Sequence, residues 1–243
     1  MVQRITIDAS QQQDQQIVLH ADQLHYLRRV LRLEAGDQFI AQDGKGQQWL
    51  AALSVTSDSA DVIECLAAAV VSAMPIRLIA ALPKGNGFDA VVRQATELGV
   101  SHIYPVISDR TLLRPKGNRL DRWRRIANEA SEQSERVTVP DIAPPTHFVQ
   151  IFKQNDWEGL RYICATRRNA PHLLAKLQND LISEDLLGVN LMIGPEGGWT
   201  SDEISVALRE SYKAVSLGPA ILRATTASIT ALSLVAAARE LLI

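Results

Sequence analysis

The sequence is short of the residues that announce many kinds of chemistry. Among 243 residues there are two cysteines, Cys65 and Cys164, far apart and each in an apolar run, and five scattered histidines. No Cys/His spacing of the zinc-site type occurs, and no Ser/His/Asp or Cys/His set stands out, so no metal is expected. The cysteines read as buried, reduced thiols of a cytoplasmic protein. Apolar runs fall short of a membrane span, and Met1-Val2-Gln3-Arg4 opens without the hydrophobic core of a signal peptide; no membrane is expected. Neither sign of charge dominates. A net charge of −2 excludes a grossly basic nucleic-acid binder, so any RNA-binding surface must be local. Aromatic residues make up 5% against 47% apolar residues, which predicts an aliphatic globular core. The usual nucleotide fingerprints are missing as well: there is no G-x-G-x-x-G after the first α/β strand and no G-x-x-x-x-G-K-[ST].

What is present divides into two patterns. Residues 1–70 read as a small β-rich module. Ile5 and Ile7 alternate with polar neighbours, and the glutamine-rich stretch 11–16 reads as a solvated loop before Ile17-Val18-Leu19. Leu24, Leu27, Val30 and Leu31 have the spacing of one helix face, with Arg28, Arg29 and Arg32 largely on another. Gly36-Asp37 and Asp43-Gly44-Lys45-Gly46 are turn signals between strands. After a small-residue connection at 67–75, residues 76–243 alternate strand and helix. Strands are expected at 76–82, 102–106, 160–165, 189–193 and 214–217. Helices are expected after Asn86, which is read as an N-cap with Asp89 as its reciprocal partner, over 119–135, after Pro171, after the capping box Thr200/Glu203, and over 225–242. The segment 140–158 looks looser. The alternation predicts an α/β fold with a parallel sheet and right-handed crossovers. The last helix is apolar nearly all round from Ala227 to Ala238, which predicts burial on every face, most economically against a second subunit. Replacing Leu232 by Asp is then expected to disrupt the assembly.

Two loops dominate this second part: Gly194-Pro195-Glu196-Gly197-Gly198, and Leu217-Gly218-Pro219-Ala220-Ile221-Leu222-Arg223. Each follows a short apolar strand and precedes a helix. Ligands of open parallel sheets bind beyond the carboxyl ends of strands, so both loops are expected to frame one pocket. Glycine lets backbone approach a ligand closely, and Leu217, Ile221 and Leu222 suit a flat uncharged group such as adenine.

An ordered set of motifs then carries a resemblance over essentially the whole chain. Lys84-Gly85, Ala95-Thr96-Glu97-Leu98-Gly99-Val100, Glu132-Gln133-Ser134 with Arg136 and Pro140, the first glycine loop, and Leu217-Gly218 with Ile221-Leu222-Arg223 resemble the RsmE family, the 16S rRNA (uracil-N3)-methyltransferases of the SPOUT superfamily. His25, Val30-Leu31-Arg32, Gly36-Asp37 and Asp43-Gly44 resemble that family's PUA-like domain. The resemblance implies a SPOUT-type parallel sheet with a C-terminal trefoil knot, preceded by the PUA-like RNA-docking domain. It also implies a homodimer through the C-terminal helix, 16S rRNA of the small ribosomal subunit as partner, and S-adenosyl-L-methionine as cofactor. By position, Gly194, Pro195, Glu196, Gly197, Gly198, Leu217, Gly218, Ile221 and Leu222 would hold that cofactor. Arg4, Arg28, Arg29, Arg32 and Lys84 would contact RNA.

For N3 methylation, Arg223 is the first candidate to stabilise the uracil anion and Arg136 the second, from the partner subunit. The structural alternatives are a salt bridge for Arg223 and an RNA phosphate for Arg136. Glu196 reads better as a loop brace through backbone N–H groups. Three departures from the family pattern stand out. Arg223-Ala224-Thr225-Thr226-Ala227 replaces Arg-x-Glu-Thr-Ala, Asn86-Gly87 replaces an acidic and a basic residue, and Glu135 stands where glycine is common. Two other readings fit the same residues: a ribose 2′-O-methyltransferase of the SPOUT type, and a non-catalytic RNA-binding protein.

Overall fold

The computed structural model describes residues 2–55, 57–66, 74–112, 118–154, 157–165, 169–183 and 187–241. Residues 67–73 of the expected connection 67–75 and the last residue of the expected helix 225–242 lie outside them. By contacts the chain divides into two compact units, residues 1–71 with 128–139, and residues 72–127 with 140–243.

The first unit holds β1 (Arg4–Thr6), β2 (Gln12–Gln13), β3 (Gln16–Val18), β4 (Gln38–Gln42), β5 (Gln48–Leu53) and β6 (Ser59–Leu66) in the order β1-β4-β5-β6-β3-β2. Only β1 and β4 run parallel; the other pairs are antiparallel. Alternation decides which face is buried: Trp49, Ala51 and Leu53 of β5 point inward with Ile5, Ile17, Phe39 and Leu27. The glutamine stretch is not simply a solvated loop. Its residues pair as the hairpin β2–β3, turning at Asp14 with φ 51°, and Gln11 is buried. The Gln11 amide donates to Val18 O at 2.6 Å and to Gln23 Oε1 at 2.7 Å, which satisfies it inside.

The helix expected around residues 24–33 is also modified. α1 (Ala21–His25) passes into a π-helical turn, Tyr26–Val30, closed by Leu31 N–H donating to Tyr26 O at 2.9 Å. The extra residue in that turn rotates the face. Leu27 stays fully buried, whereas Val30, expected beside it, is 58% exposed. Arg28, Arg29 and Arg32 are exposed, Arg28 lying 3.6 Å from Asp58. Arg4 pairs with Glu135 at 3.0 Å.

The second unit is built on β7 (Ile76–Ala81), β8 (His102–Ile107), β9 (Asp141–Ile142), β10 (Thr146–His147), β11 (Leu160–Cys164), β12 (Val189–Ile193) and β13 (Lys213–Val215). The order is β10-β8-β7-β12-β11-β13, with β9 also on β8, and every pair is parallel. β12 is buried at all five positions, as a central parallel strand covered on both faces should be. The helices are α2 (Gly87–Glu97), α3 (Arg119–Gln133, of which residues 128–133 group with the first unit), α4 (Phe148–Gln154), α5 (Leu173–Ser183), α6 (Ser201–Arg209) and α7 (Ala224–Glu240). The looser segment 140–158 thus contributes two edge strands and α4. Phe148 and Ile151 of α4 join Trp199, Ile204, Ala207 and Tyr212 over the Ile79–Ile163–Met192 side of the sheet.

Three expectations change with packing. Asn86 is the N-cap of α2 but its side chain makes no cap bond. Asp89 accepts from Arg122 Nε at 2.9 Å and Trp123 Nε1 at 3.1 Å instead, tying α2 to α3. Cys65 is exposed, not buried, because it lies on the open side of β6. Within a single chain α7 is buried along one face, and Leu232, expected to meet the second subunit, lies on that face. Ala224, Ser228, Ala231, Leu232, Val235 and Ala238 are buried, and the helix packs against α2, α5, β7 and β12. Leu232 is 0% exposed within a single chain, so it belongs to the chain's own core and not to an outer face.

Candidate functional site

Because every pair in the second sheet is parallel, the carboxyl ends of β11, β12 and β13 share one edge. There the two glycine loops close a cavity of about 890 Å³. This lies within the range of about 300–1,000 Å³ typical of small-molecule sites. All nine residues expected at the cofactor line it: Gly194, Pro195, Glu196, Gly197, Gly198, Leu217, Gly218, Ile221 and Leu222. Cys164 and Ala165 supply the wall from β11, which lies between β12 and β13 in the sheet. Trp199, Ile204, Ala224 and Ala227 add apolar surface, and Arg110 reaches in from the loop after β8.

The loops hold their shape through bonds that their sequence makes possible. Gly198 (φ 70°) closes a turn by donating to Pro195 O at 2.8 Å. Gly218 (φ 123°) takes a conformation that a side chain would strain, and Ser216 Oγ both donates to its carbonyl and accepts from its N–H at 3.1 Å. Gly194 is tightly placed for a different reason. A Cβ there would lie 3.2 Å from both the backbone nitrogen and the indole nitrogen of Trp199. That indole N–H is buried and has no acceptor among the described residues.

Glu196 is exposed, and its Oε1 accepts the backbone N–H of Lys84 at 3.1 Å, bracing the loop after β7 against the first glycine loop. Glu203 is 4% exposed and makes a stronger brace. Its Oε2 accepts Thr200 N–H at 2.8 Å, and Thr200 Oγ1 accepts Glu203 N–H at 3.2 Å, completing the expected capping box. Its Oε1 reaches outside the helix to Asp109 N–H at 2.9 Å. Burial pushes the Cys164 thiol up to about 12, so at the pocket wall it is a neutral thiol and not a nucleophile.

The expected catalytic and RNA-contacting residues are placed as follows. Arg223 is the N-cap of α7, exposed, at the end of the second loop, and not among the residues lining the cavity. Arg136 belongs to the first unit, where its Nη2 donates to Thr138 Oγ1 at 3.0 Å. Arg4, Arg28, Arg29 and Arg32 also lie in the first unit, and Lys84 is exposed in the second. Thr225, where the family pattern has Glu, is half-buried, and its Cγ2 lies within 3.5 Å of where a Cβ on Gly87 would stand. Sequence reasoning missed Arg110 and the Asp109–Glu203 bond. A signal existed: the Asp109-Arg110 pair follows a strand end on the same edge, but only the tertiary neighbourhood gives it a partner.

Comparison with known proteins points the same way. Residues 71–236 match the family model of the RNA methyltransferase domain, and residues 19–65 that of the RNA methyltransferase PUA domain. A ribosomal RNA small subunit methyltransferase E from Synechocystis is 41% identical over 242 residues, covering 99% of this chain and 79% of that protein. The Bacillus subtilis protein of the same name is 29% identical over 258 residues, covering 99% and 98%. A crystal structure of a ribosomal RNA small subunit methyltransferase E from Neisseria gonorrhoeae bound to S-adenosyl methionine superposes with a TM-score of 0.85 at 30% identity, covering 99% of this chain and 98% of that one. With both units matched in order and the glycine loops closing a cavity at the sheet edge, the chain belongs to the ribosomal RNA small subunit methyltransferase E family of RNA methyltransferases.

Proposed function

We propose that this protein transfers a methyl group from S-adenosyl-L-methionine to N3 of a uridine in 16S rRNA of the small ribosomal subunit, in the cytoplasm. The observation that carries this reading is the cavity walled by both glycine loops at the carboxyl edge of a parallel sheet. Its lining fits the cofactor. Backbone groups of Gly194–Gly198 and Gly218 offer donors and acceptors, while Leu217, Ile221, Leu222 and Ala227 offer a slot for a flat base. The order in which β13 joins β11 beyond β12 is compatible with a C-terminal trefoil knot, which we include in the proposal. The first unit, within residues 1–70, is the RNA-docking domain through Arg4, Arg28, Arg29 and Arg32, with Lys84 adding a contact from residues 76–243.

The chemistry assigns work to side chains. Uracil N3 carries a proton at neutral pH, so the site must help that proton leave and stabilise charge on the ring oxygens. Arg223, at the end of the second loop, is our first candidate for that stabilisation. Arg136, brought by a partner subunit, is the second. The bound cofactor supplies the electrophilic methyl group. The glycine loops contribute by fixing its orientation, since alignment is worth much of such a barrier. Glu196 braces the loop and is not assigned a proton-transfer role. The homodimer forms through the outer face of α7, where Thr226 and Ala237 are exposed and Ile229, Thr230, Ser233 and Leu234 half-buried.

The test is methyl transfer to small subunits from a strain lacking this protein, with the modified nucleoside identified by mass spectrometry. A label on ribose sinks the N3 assignment in favour of 2′-O-methylation. Cofactor binding by calorimetry without any transfer favours the non-catalytic reading that Thr225 motivates. Loss of transfer in Arg223→Ala, with cofactor affinity kept, supports its assignment; unchanged transfer removes it.

A further inference from the structure

Among the described residues lining the cavity, Arg110 is the one basic side chain. We propose that Arg110 is a substrate-positioning residue whose guanidinium binds a backbone phosphate of the RNA segment entering the pocket. This rests on the RNA-methyltransferase reading above, but not on which atom is methylated.

Arg110 is held unusually well for an exposed side chain. The chain on either side of it is fixed. Asp109 N–H donates to the buried Glu203 carboxylate at 2.9 Å, and Asp109 Oδ2 accepts from Thr200 Oγ1 at 3.3 Å. Ser108 and Thr111 close the turn, with Ser108 N–H donating to Thr111 Oγ1 at 3.0 Å and Thr111 N–H to Ser108 O at 3.0 Å. The side chain then lies across Gly197. A Cβ on that glycine would stand 3.2 Å from Arg110 Cδ and 3.3 Å from its Cβ. Nη1 donates to Gly197 O at 2.7 Å. A side chain at Gly197 would therefore press on the arginine where it crosses the loop. Much of the rotamer freedom that an exposed arginine would lose on binding a ligand is already spent.

One donor is used on a neutral carbonyl, so the positive charge is not neutralised. No carboxylate among the described residues pairs with Arg110, and the one acidic lining residue, Glu196, turns to Lys84 N–H. The Nε and Nη2 groups remain for a ligand, and a planar fork of this kind suits a phosphate. The guanidinium is exposed, and phosphate recognition works at such a hydrated position. In a chain with a net charge of −2, one fixed guanidinium at the entrance has a local effect that composition conceals.

The experiment compares Arg110→Ala, Arg110→Lys and Arg110→Gln in the full-length protein, using unmodified small subunits. Cofactor affinity by calorimetry, subunit affinity across a salt series, and kcat and KM are measured for each. Arg110→Gln keeps an amide donor for Gly197 O but removes the charge, and so separates bracing from phosphate binding. The expected result for Arg110→Gln is subunit KM and Kd raised roughly tenfold to a hundredfold, with kcat and cofactor Kd within about twofold. The slope of log Kd against log salt should shrink by about 0.7, one phosphate's share on single-stranded RNA. Arg110→Lys should keep that slope while recovering only part of the affinity. The proposal is overturned if Arg110→Gln leaves the salt slope unchanged, or if cofactor affinity falls by the same factor as subunit affinity, which would make Arg110 a brace of the cofactor loop. If the wild-type protein binds subunits without methylating N3, the functional reading fails, while the salt slope still decides Arg110.

Discussion

Cys164 and Cys65 are the same residue type in two different media. Cys164 stands at the cavity wall at the end of β11, where burial pushes its thiol up to about 12. Cys65 is exposed on β6, with Gln47 Nε2 3.2 Å from its sulfur. An ordinary thiol titrates near 8.5, so Cys164 holds far less thiolate at neutral pH. Alkylation with iodoacetamide at pH 7.5, read by mass spectrometry, should label Cys65 alone in the native protein and both after denaturation. Asp180 shows the opposite balance. Its burial disfavours charge, but hydrogen bonds from Lys213 (2.9 Å), Tyr162 (2.8 Å) and Lys176 together outweigh that and hold the carboxyl below its usual range. A depressed carboxylate contributes stability above its unfolded pKa and loses it as pH falls through its folded value. Asp180→Asn should therefore cost about 1–3 kcal/mol in urea unfolding at pH 7, with the difference shrinking only as pH falls below the ordinary carboxylate range. A difference that stays constant with pH would contradict this account.

At the scale of elements, the site depends on braces between loops that are distant in sequence. Glu203 opens α6, yet its second oxygen holds the loop after β8 through Asp109 N–H. Glu203→Ala removes the acceptor of two partly buried N–H donors. It should destabilise the protein by about 1–3 kcal/mol and weaken cofactor binding through the first glycine loop. Calorimetry with S-adenosyl-L-methionine and thermal unfolding measure the two effects separately. Loss of stability with unaltered cofactor affinity would show that the clamp does not reach the pocket. The capping box itself could be read from Thr200 and Glu203, because it is a local bond at fixed spacing. The bond to Asp109 could not, since 94 residues separate the partners. For the same reason Asn86 and Asp89 looked like a reciprocal cap until Arg122 and Trp123 supplied better partners for Asp89.

At the scale of the molecule, α7 has to satisfy two demands with one apolar surface. Its Leu232 face is filled by the sheet, α2 and α5. The opposite face is the one we assign to a partner subunit. Leu232→Asp places a charge in the chain's own core and should cost roughly 3–5 kcal/mol, appearing as unfolding and not as clean dissociation. Ala237→Arg sits on the exposed face. It should leave unfolding within about 0.5 kcal/mol of wild type while shifting sedimentation from dimer to monomer. A sedimentation profile unaffected by Ala237→Arg would count against this face as the interface.

Alternation, apolar runs and glycine-bearing turns are encoded over a few residues, so the sequence alone determined the β-rich first part, the parallel α/β second part and the two loops of the cavity. Its ordered motifs also pointed to the family. Tertiary structure alone decided what depends on partners far along the chain. It grouped residues 128–139 with the first sheet, added β9 and β10 as edge strands, turned Val30 outward through the π-helical turn, and gave Leu232 to the core. It also brought Arg110 across Gly197. A local pattern states which face of an element is apolar; only packing states what covers that face, and which charge is left uncovered at the mouth of the pocket.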